Sequence, residues 1–250
     1  MKLYNYHIII EYLGTNYVGW QKQKNGRSIQ SEIEKVIKKF FPGFKNLNGS
    51  GRTDAGVHAT GQSANFYSYL YLNKEKRFKI LKSLNFFLKK KNITILSIQT
   101  KKKNFHARFS AKERTYNYVI VNRVSSLTLD NNRAWHVKKK LNLSLMKKGI
   151  KYFLGTHDFT AYRSSSCTSK SPIRTIKKAH ILKKKDKIFI KFSSPSFLQQ
   201  QVRSMVGCIK TLGEGKWDIK KFKTILELKK RSLCATPAPP HGLYLEEVKY

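Results

Sequence analysis

The spacing of apolar residues predicts strands and helices in turn along the first hundred positions. Residues 3–12 alternate into the apolar run Ile8–Ile10, which is typical of a strand. Ser28 precedes apolar residues at helical spacing, and Pro42 follows them, so we expect a helix between these two residues. The same reading predicts a strand over 61–72, a helix over 74–88 and a strand over 92–100.

The second part of the chain repeats this style. A strand over 114–121 places Tyr116, Tyr118 and Ile120 on one face. Further predicted elements are a helix over 143–154, strands over 174–182 and 187–194, a helix over 197–212 and a closing strand over 242–250. Mixed elements with hairpin-like neighbours indicate an α+β fold with antiparallel sheets. We predict two α+β halves, residues 1–104 and 105–250.

Charge narrows the range of partners. The 250 residues carry a formal net charge of +37, with only 14 acidic residues, and 40% of them are apolar. Such a chain folds, and it attracts polyanions, with nucleic acid as the first candidate and an anionic membrane surface as the second. A compositional bias toward lysine at solvated positions would also explain runs such as Lys101–Lys103, but not arginines embedded in motifs.

Cysteine spacing and hydropathy indicate the compartment. The three cysteines lie too far apart for a CxxC pair, so no zinc site is predicted, and the odd number of thiols suits a reducing cytoplasm. No signal-peptide core is apparent, and no apolar run reaches the length of about 18 residues that a membrane span needs. We expect a soluble cytoplasmic protein without a metal.

The segment 46–62, NLNGSGRTDAGVHATGQ, places Asp54 on a glycine-bounded turn beside Arg52. Glycines let a substrate approach the main chain closely, and an arginine offers a planar donor to a phosphate or a base. The carboxylate is therefore a candidate for catalysis. The alternative is an Asx-turn, in which Asp54 bonds its own backbone.

Two segments combine cations with groups that suit RNA. Residues 105–121, FHARFSAKERTYNYVIV, interleave cations with aromatic rings, the two ingredients of unstacked-base binding. Residues 155–176 form a loop rich in hydroxyl donors, in which a His157–Asp158 catalytic dyad is a weaker alternative because adjacent side chains point apart. The candidate RNA-binding residues from the two segments are Arg108, Arg114, Arg163, Lys170 and Arg174.

Arg203 lies within an otherwise apolar face of the helix predicted over 197–212. A cation buried there without a partner would be destabilising by several kcal/mol, so it either pairs with a carboxylate or extends to water. Asp54 is an attractive partner, because pairing would keep that carboxylate ionised.

With these segments in view, the chain resembles the tRNA pseudouridine synthase A family. GRTDAGVHATGQ at 51–62 is similar to that family's catalytic motif, and FHARFSA…R.Y.Y, HDFTAYR…SPIRTI, FL…VRSMVG and GLYL resemble its other blocks in the same order. The resemblance covers essentially the whole chain. It implies a pseudouridine synthase fold, in which antiparallel sheets from two similar halves meet at a central catalytic cleft.

The resemblance also implies roles for individual residues. Asp54 would be the catalytic carboxylate, attacking either the uracil ring or the sugar, and Tyr116 would stack on the target base. Arg203 would pair with Asp54, and Arg52 would hold the nucleotide flipped out of its stack. The substrate would be uridine at positions 38, 39 and 40 of the tRNA anticodon stem-loop. The enzyme would act as a homodimer, without metal or other cofactor.

Two rival functions remain. A non-catalytic RNA-binding protein would use the same basic and aromatic surfaces, yet it gives no reason for a carboxylate facing anionic RNA. A nuclease using Asp54 with His58 would need further carboxylates for a metal, or a second histidine, and this loop supplies neither.

Overall fold

The computed structural model describes residues 2–250, which divide into two compact units. Residues up to Lys112 together with Leu245–Tyr250 form the first unit, and Glu113–Tyr244 form the second. The sequence placed the boundary earlier, between residues 104 and 105. The chain up to Lys112 stays with the first unit because the Lys112 N–H donates to the carbonyl of Lys249, at 2.8 Å.

The first unit begins with a sheet and two helices. In chain order these elements are β1 (Tyr4–Tyr12), α1 (Ile29–Phe40), β2 (Lys45–Gly49), β3 (His58–Ser68), α2 (Lys74–Leu88) and β4 (Ile93–Lys101). The central strand β1 pairs antiparallel with β3 on one side and β4 on the other, so that Ile8 stands between Ala64 and Ile98. Strand β2 pairs antiparallel with β3.

Helix α1 forms where the sequence predicted it. The Ser28 side chain accepts a hydrogen bond from the N–H of Ser31 at 3.2 Å, which satisfies one of the unpaired donors at the helix start. Ile29, Ile33 and Ile37 recur at helical spacing and are fully buried. Burial of these three side chains stabilises the helix by roughly 1.5–3 kcal/mol each.

The second unit contains six strands and three helices. They are β5 (Glu113–Asn122), β6 (Trp135–Val137), α3 (Leu143–Ile150), β7 (Gly155–Asp158), β8 (Ile173–Ile176), β9 (Lys178–Lys184), β10 (Lys187–Ser194), α4 (Gln201–Gly213) and α5 (Ile219–Leu228). Strand β10 pairs antiparallel with β5 and with β9, and β7 pairs with β8. The short β6 is parallel to β5. The three helices pack against one another.

The last strand, β11 (Leu243–Lys249), returns to the first unit from Leu245 onward and lies beside β3. Nearly all strand pairs within each unit are antiparallel, so the predicted α+β class with antiparallel sheets is confirmed.

Several local boundaries differ from the prediction: β3 covers His58–Ser68 and not 61–72, and α3 ends at Ile150 and not at 154. Two further differences have a clear local cause. The strand expected over 174–182 divides at Lys177, whose N–H donates to the Ser193 carbonyl at 2.8 Å. Helix α4 begins at Gln201 and not at 197, because Gln200 adopts a left-handed φ of 61°. The Gln201 side chain accepts the N–H of Leu198 at 2.8 Å and so closes the turn before the helix.

Candidate active site

Asp54 lies in the loop that connects β2 to β3, and it is partly exposed. The turn around it closes through its backbone, because the N–H of Val57 donates to the Asp54 carbonyl at 3.2 Å. Gly56 makes this turn possible with a φ of +77°, a conformation that other residues adopt only with strain. This part of the predicted motif is therefore a tight backbone turn that presents a carboxylate.

The end of β1 and the segment that follows it hold this turn in place. The Tyr12 hydroxyl bonds the Thr53 hydroxyl at 2.8 Å, and the Trp20 N–H donates to the Thr53 carbonyl at 3.1 Å. On the other side of Asp54, the N–H of Gly56 donates to the Tyr17 carbonyl at 3.3 Å. Hydrogen bonds before and after Asp54 thus fix the position of its backbone.

Gly19 is a supporting residue that the sequence reasoning missed. Its φ is +110°, and a Cβ at this position would lie 2.6 Å from the Thr53 carbonyl oxygen and 3.2 Å from the carbonyl carbon of Asp54. The backbone of Gly19 therefore lies against the backbone of the Asp54 turn. The signal was present in the turn-rich stretch YVGW, but nothing in the sequence showed which loop it contacts.

The base of the turn rests on a buried amide. Gln62 is fully buried, and its Nε2 donates to the Gly51 carbonyl at 2.8 Å. Its Oε1 accepts from the Ser50 hydroxyl at 2.9 Å. Arg52, in contrast, is exposed, and its Nε donates to Oε1 of Gln21 at 3.1 Å. Gln62 thus holds the base of the turn rigid, and the Arg52 cation lies on its exposed side.

His58 is a structural residue in this arrangement. It is fully buried, and its Nδ1 accepts the N–H of Gly14 at 2.9 Å. That nitrogen is therefore unprotonated and already engaged, so it has no lone pair left for a substrate. The geometry gives no support to a nuclease built from Asp54 and His58.

Tyr116 and Tyr118 lie on β5 of the second unit, as predicted, with different surroundings. Tyr116 is 8% exposed and meets the ring of Phe197 edge-on, with centroids 5.2 Å apart. Tyr118 is fully buried, donates to the Pro239 carbonyl at 2.8 Å, and has its pKa raised by burial. Tyr118 is the structural tyrosine of the pair.

Arg203 lies on α4 and is partly exposed. Its Nε donates to the Ala238 carbonyl at 2.8 Å, while the N–H of Ala238 donates to the Arg203 carbonyl at 2.9 Å. The first bond ties the guanidinium to the backbone at Ala238, and the second ties that backbone to α4. Its charge also reaches His241, whose pKa is lowered by burial and then by Arg203. The pairing of Arg203 with Asp54 joins residues of the two units and stays a prediction.

The candidate RNA-binding residues fall into two groups. Arg108 and Lys170 are exposed and Arg163 is partly exposed, which suits contact with phosphates. Arg114 is only 8% exposed and donates to the Pro195 carbonyl at 2.5 Å, which leaves little of its side chain for RNA. Arg174 is tied to its own loop, donating to the Ser169 hydroxyl at 2.7 Å and to two backbone carbonyls. Burial lowers its pKa.

The alternative dyad in the same loop is engaged elsewhere. His157 bonds the Leu154 carbonyl through Nε2 at 2.7 Å. Asp158 accepts the N–H of Thr160 at 2.8 Å and forms an ion pair with Lys229 at 3.6 Å. Both residues have local structural partners, so a hydrolytic dyad gains no support.

Metal-binding clusters and membrane-spanning helices are two other features to consider in the described chain. Among residues 2–250, no group of three or more His, Cys, Asp or Glu side chains is arranged to hold a metal ion. Within the same range, no helix has both the length and the apolar character that crossing a bilayer requires.

Comparison with known proteins identifies the family. A family model described as tRNA pseudouridine synthase matches residues 8–119 and 150–250, which include Asp54, Tyr116 and Arg203. The chain belongs to the tRNA pseudouridine synthase family. The resemblance seen in the sequence motifs is thereby confirmed.

Individual relatives of this family match nearly the whole chain. A protein of Pelagibacter ubique named tRNA pseudouridine synthase A is 52% identical over 248 residues, covering 99% of this chain and 100% of the relative. A protein of the same name from Ehrlichia chaffeensis is 43% identical, covering 98% and 99%. Among solved structures, a chain of a Cbf5-Nop10-Gar1 complex shows a TM-score of 0.35 at 9% identity, covering 82% of this chain and 44% of that one. That last similarity is too distant to support any conclusion.

Proposed function

We propose that this protein isomerises uridine to pseudouridine in tRNA, at positions 38, 39 and 40 of the anticodon stem-loop, with Asp54 as the catalytic carboxylate. The observation that carries the proposal is the rigid turn that presents Asp54 within a family of tRNA pseudouridine synthases. RNA binding alone gives no reason for a carboxylate on this turn of a strongly basic protein, whereas catalysis does.

The reaction breaks the bond between uracil N1 and ribose C1′, rotates the base and joins C5 to C1′. The proton on C5 leaves to solvent, and N1 gains a proton, so atoms and electrons balance without redox change. Attack at ring C6 and chemistry at the sugar both require Asp54 to be ionised. In the proposal Arg203 pairs with Asp54 and holds it in that state.

Substrate contacts follow from the remaining residues. Tyr116 stacks on the target base, and Arg52, exposed beside the turn, holds the flipped nucleotide. Arg108, Arg163 and Lys170 contact phosphates, whereas Arg174 shapes the loop that carries Lys170 and Arg114 is bound to the Pro195 carbonyl. A net charge of +37 favours recognition of the RNA backbone, which suits a substrate set spread over three positions.

Two further parts of the proposal concern the state of the protein in the cell. It acts as a homodimer that grips tRNA across both subunits, and it works in the cytoplasm, where its three free cysteines stay reduced. Light scattering tests the dimer, since a single monomeric mass at working concentration would contradict it.

The function is tested by mapping pseudouridine in a tRNA transcript after incubation with the protein. Carbodiimide adducts block reverse transcriptase at pseudouridine, so new stops at positions 38–40 are expected. Tight tRNA binding with no new stop at any uridine would favour the rival, a non-catalytic RNA-binding protein.

A further inference from the structure

An exposed phenylalanine stands on a short turn of the first unit. Phe109 is 76% exposed, and it belongs to the turn formed by Phe105–Ser110, which follows β4. Single exposed apolar side chains are common on folded proteins, so exposure alone does not indicate a role. The surroundings of Phe109 are what distinguish it.

The turn itself is rigid. The N–H of His106 donates to the Ser110 hydroxyl at 3.1 Å, and the N–H of Ser110 donates back to the His106 carbonyl at 2.9 Å. The N–H of Arg108 donates to Nδ1 of His106 at 3.1 Å. This last bond fixes the imidazole with Nδ1 unprotonated, and burial lowers the pKa of His106, which favours a neutral ring.

The turn is also anchored to the sheet by buried polar side chains. Asn5 donates to the Phe105 carbonyl at 2.8 Å, and Asn65 accepts the N–H of Ala107 at 2.8 Å. The hydroxyl of Tyr250 donates to the Ala107 carbonyl at 3.0 Å. Contacts on both sides keep the backbone of the turn in one place, so binding a ligand there orders little of the main chain.

The half-buried His106 and the exposed Arg108 and Phe109 form one surface. The rings of His106 and Phe109 lie 4.5 Å apart with an angle of 38° between their planes. The guanidinium of Arg108 stands 5.6 Å from the centre of the Phe109 ring. An aromatic face with a cation at its side is the combination that binds an unstacked base together with its phosphate.

We propose that His106, Arg108 and Phe109 form a stacking platform for an unpaired nucleotide base of the tRNA. Phe109 covers one face of the base, His106 holds the phenyl ring in position, and Arg108 contacts the adjoining phosphate. The platform rests on the proposed function, because that function supplies the RNA. It adds a binding site for a second base besides the uridine that reacts.

Phe86 offers a matched control. It is 78% exposed in the same unit, on α2, but its ring neighbour is Phe87, at 5.4 Å, and not a cation and an imidazole on a fixed turn. Phe86→Ala and Phe109→Ala each remove one exposed phenyl ring. Only Phe109→Ala removes a ring from the platform.

The test measures RNA affinity in an Asp54→Asn background, so that no turnover disturbs the equilibrium. Two probes are used: a tRNA transcript and a blunt, fully paired RNA duplex of similar length. Stacking of a base on an aromatic ring is worth roughly five- to a hundredfold in affinity. We therefore expect Phe109→Ala to weaken tRNA binding about tenfold, with Phe86→Ala unchanged.

Three further readouts identify stacking. Phe109→Trp keeps the affinity, and its fluorescence is quenched when tRNA binds. The slope of log affinity against log salt stays the same in Phe109→Ala, because no phosphate contact is lost, whereas Arg108→Ala reduces it. Binding to the paired duplex is unaffected by Phe109→Ala.

Several results would overturn the proposal. These are unchanged tRNA affinity in Phe109→Ala, an equal loss on the paired duplex, or a shift in oligomeric mass, which would make the ring a contact between copies of the chain. Thermal melting of each variant separates unfolding from lost contact. Pseudouridine formation by the wild-type protein is scored separately, so that failure of the platform is distinguished from failure of the proposed function.

Discussion

Replacing Gly19 by alanine should slow the enzyme by moving the Asp54 turn. The new Cβ would lie 2.6 Å from the Thr53 carbonyl oxygen, 3.2 Å from the Asp54 carbonyl carbon and 3.3 Å from the Ala55 nitrogen. Unbonded heavy atoms pack at about 3.5–4.0 Å, so the turn must withdraw by roughly 0.5–1 Å. Misplacement of a reacting group by about 1 Å lowers a rate on the order of a hundredfold.

The substitution also strains the backbone, since a side chain at φ +110° costs about 1–3 kcal/mol. Gly215→Ala separates this effect from the displacement. Gly215 has a φ of +73°, and a Cβ added there meets nothing within 4 Å, so that variant carries strain without a clash. We expect both variants to melt at lower temperature, and only Gly19→Ala to lose kcat.

The assay is release of tritium from uracil C5 of labelled tRNA at saturating substrate, alongside tRNA binding. Gly19→Ala should bind within a few-fold of wild type and react about 10- to 100-fold more slowly. If its kcat equals that of Gly215→Ala while both stay folded, the idea that Gly19 positions the turn is refuted.

Two other predictions concern His7 in the first unit and Arg203 in the second. Burial lowers the pKa of His7 to about 4, so below about pH 6.5 the unfolded chain takes up a proton that the folded chain refuses. This difference in proton uptake should lower the free energy of unfolding by about 2–3 kcal/mol between pH 7 and 4.5. Denaturant titrations should show a smaller decline for His7→Gln than for wild type. Equal declines would exclude His7 as the cause. Arg203→Lys should lose most activity because lysine has no Nε to bond the Ala238 carbonyl at 2.8 Å. Tritium release near the wild-type rate from Arg203→Lys would show that charge alone suffices.

Much of the fold was predictable where the signal is local. Ser28 and the isoleucine spacing gave α1 its limits, and alternation gave β1 and β5 theirs. The short strands β2, β6 and β7 escaped prediction because three to five residues carry no clear period. Helix α5 was missed although Asp218 caps it and Phe222 and Ile225 are buried at helical spacing, a signal that lysines obscured.

Non-local pairing set the limit elsewhere. The return of β11 to the first unit joins residues far apart in sequence, and periodicity does not encode partners. The same holds for the site. The motif around Asp54 was visible as residues 51–62, whereas the contacts of Gly19, Tyr12 and Gly14 with that turn required the structure.

The most direct test of the account compares tritium release from uracil C5 of tRNA by wild type and by Asp54→Asn in a single turnover, with tRNA binding measured for both. The substitution replaces one carboxylate oxygen by an NH2 group, so it keeps the shape of the turn and removes the ionised group. We predict that Asp54→Asn binds tRNA and that its rate falls by a factor on the order of 10³ or more. Release by Asp54→Asn within tenfold of wild type, with binding intact, would contradict the assignment of Asp54 as the catalytic carboxylate.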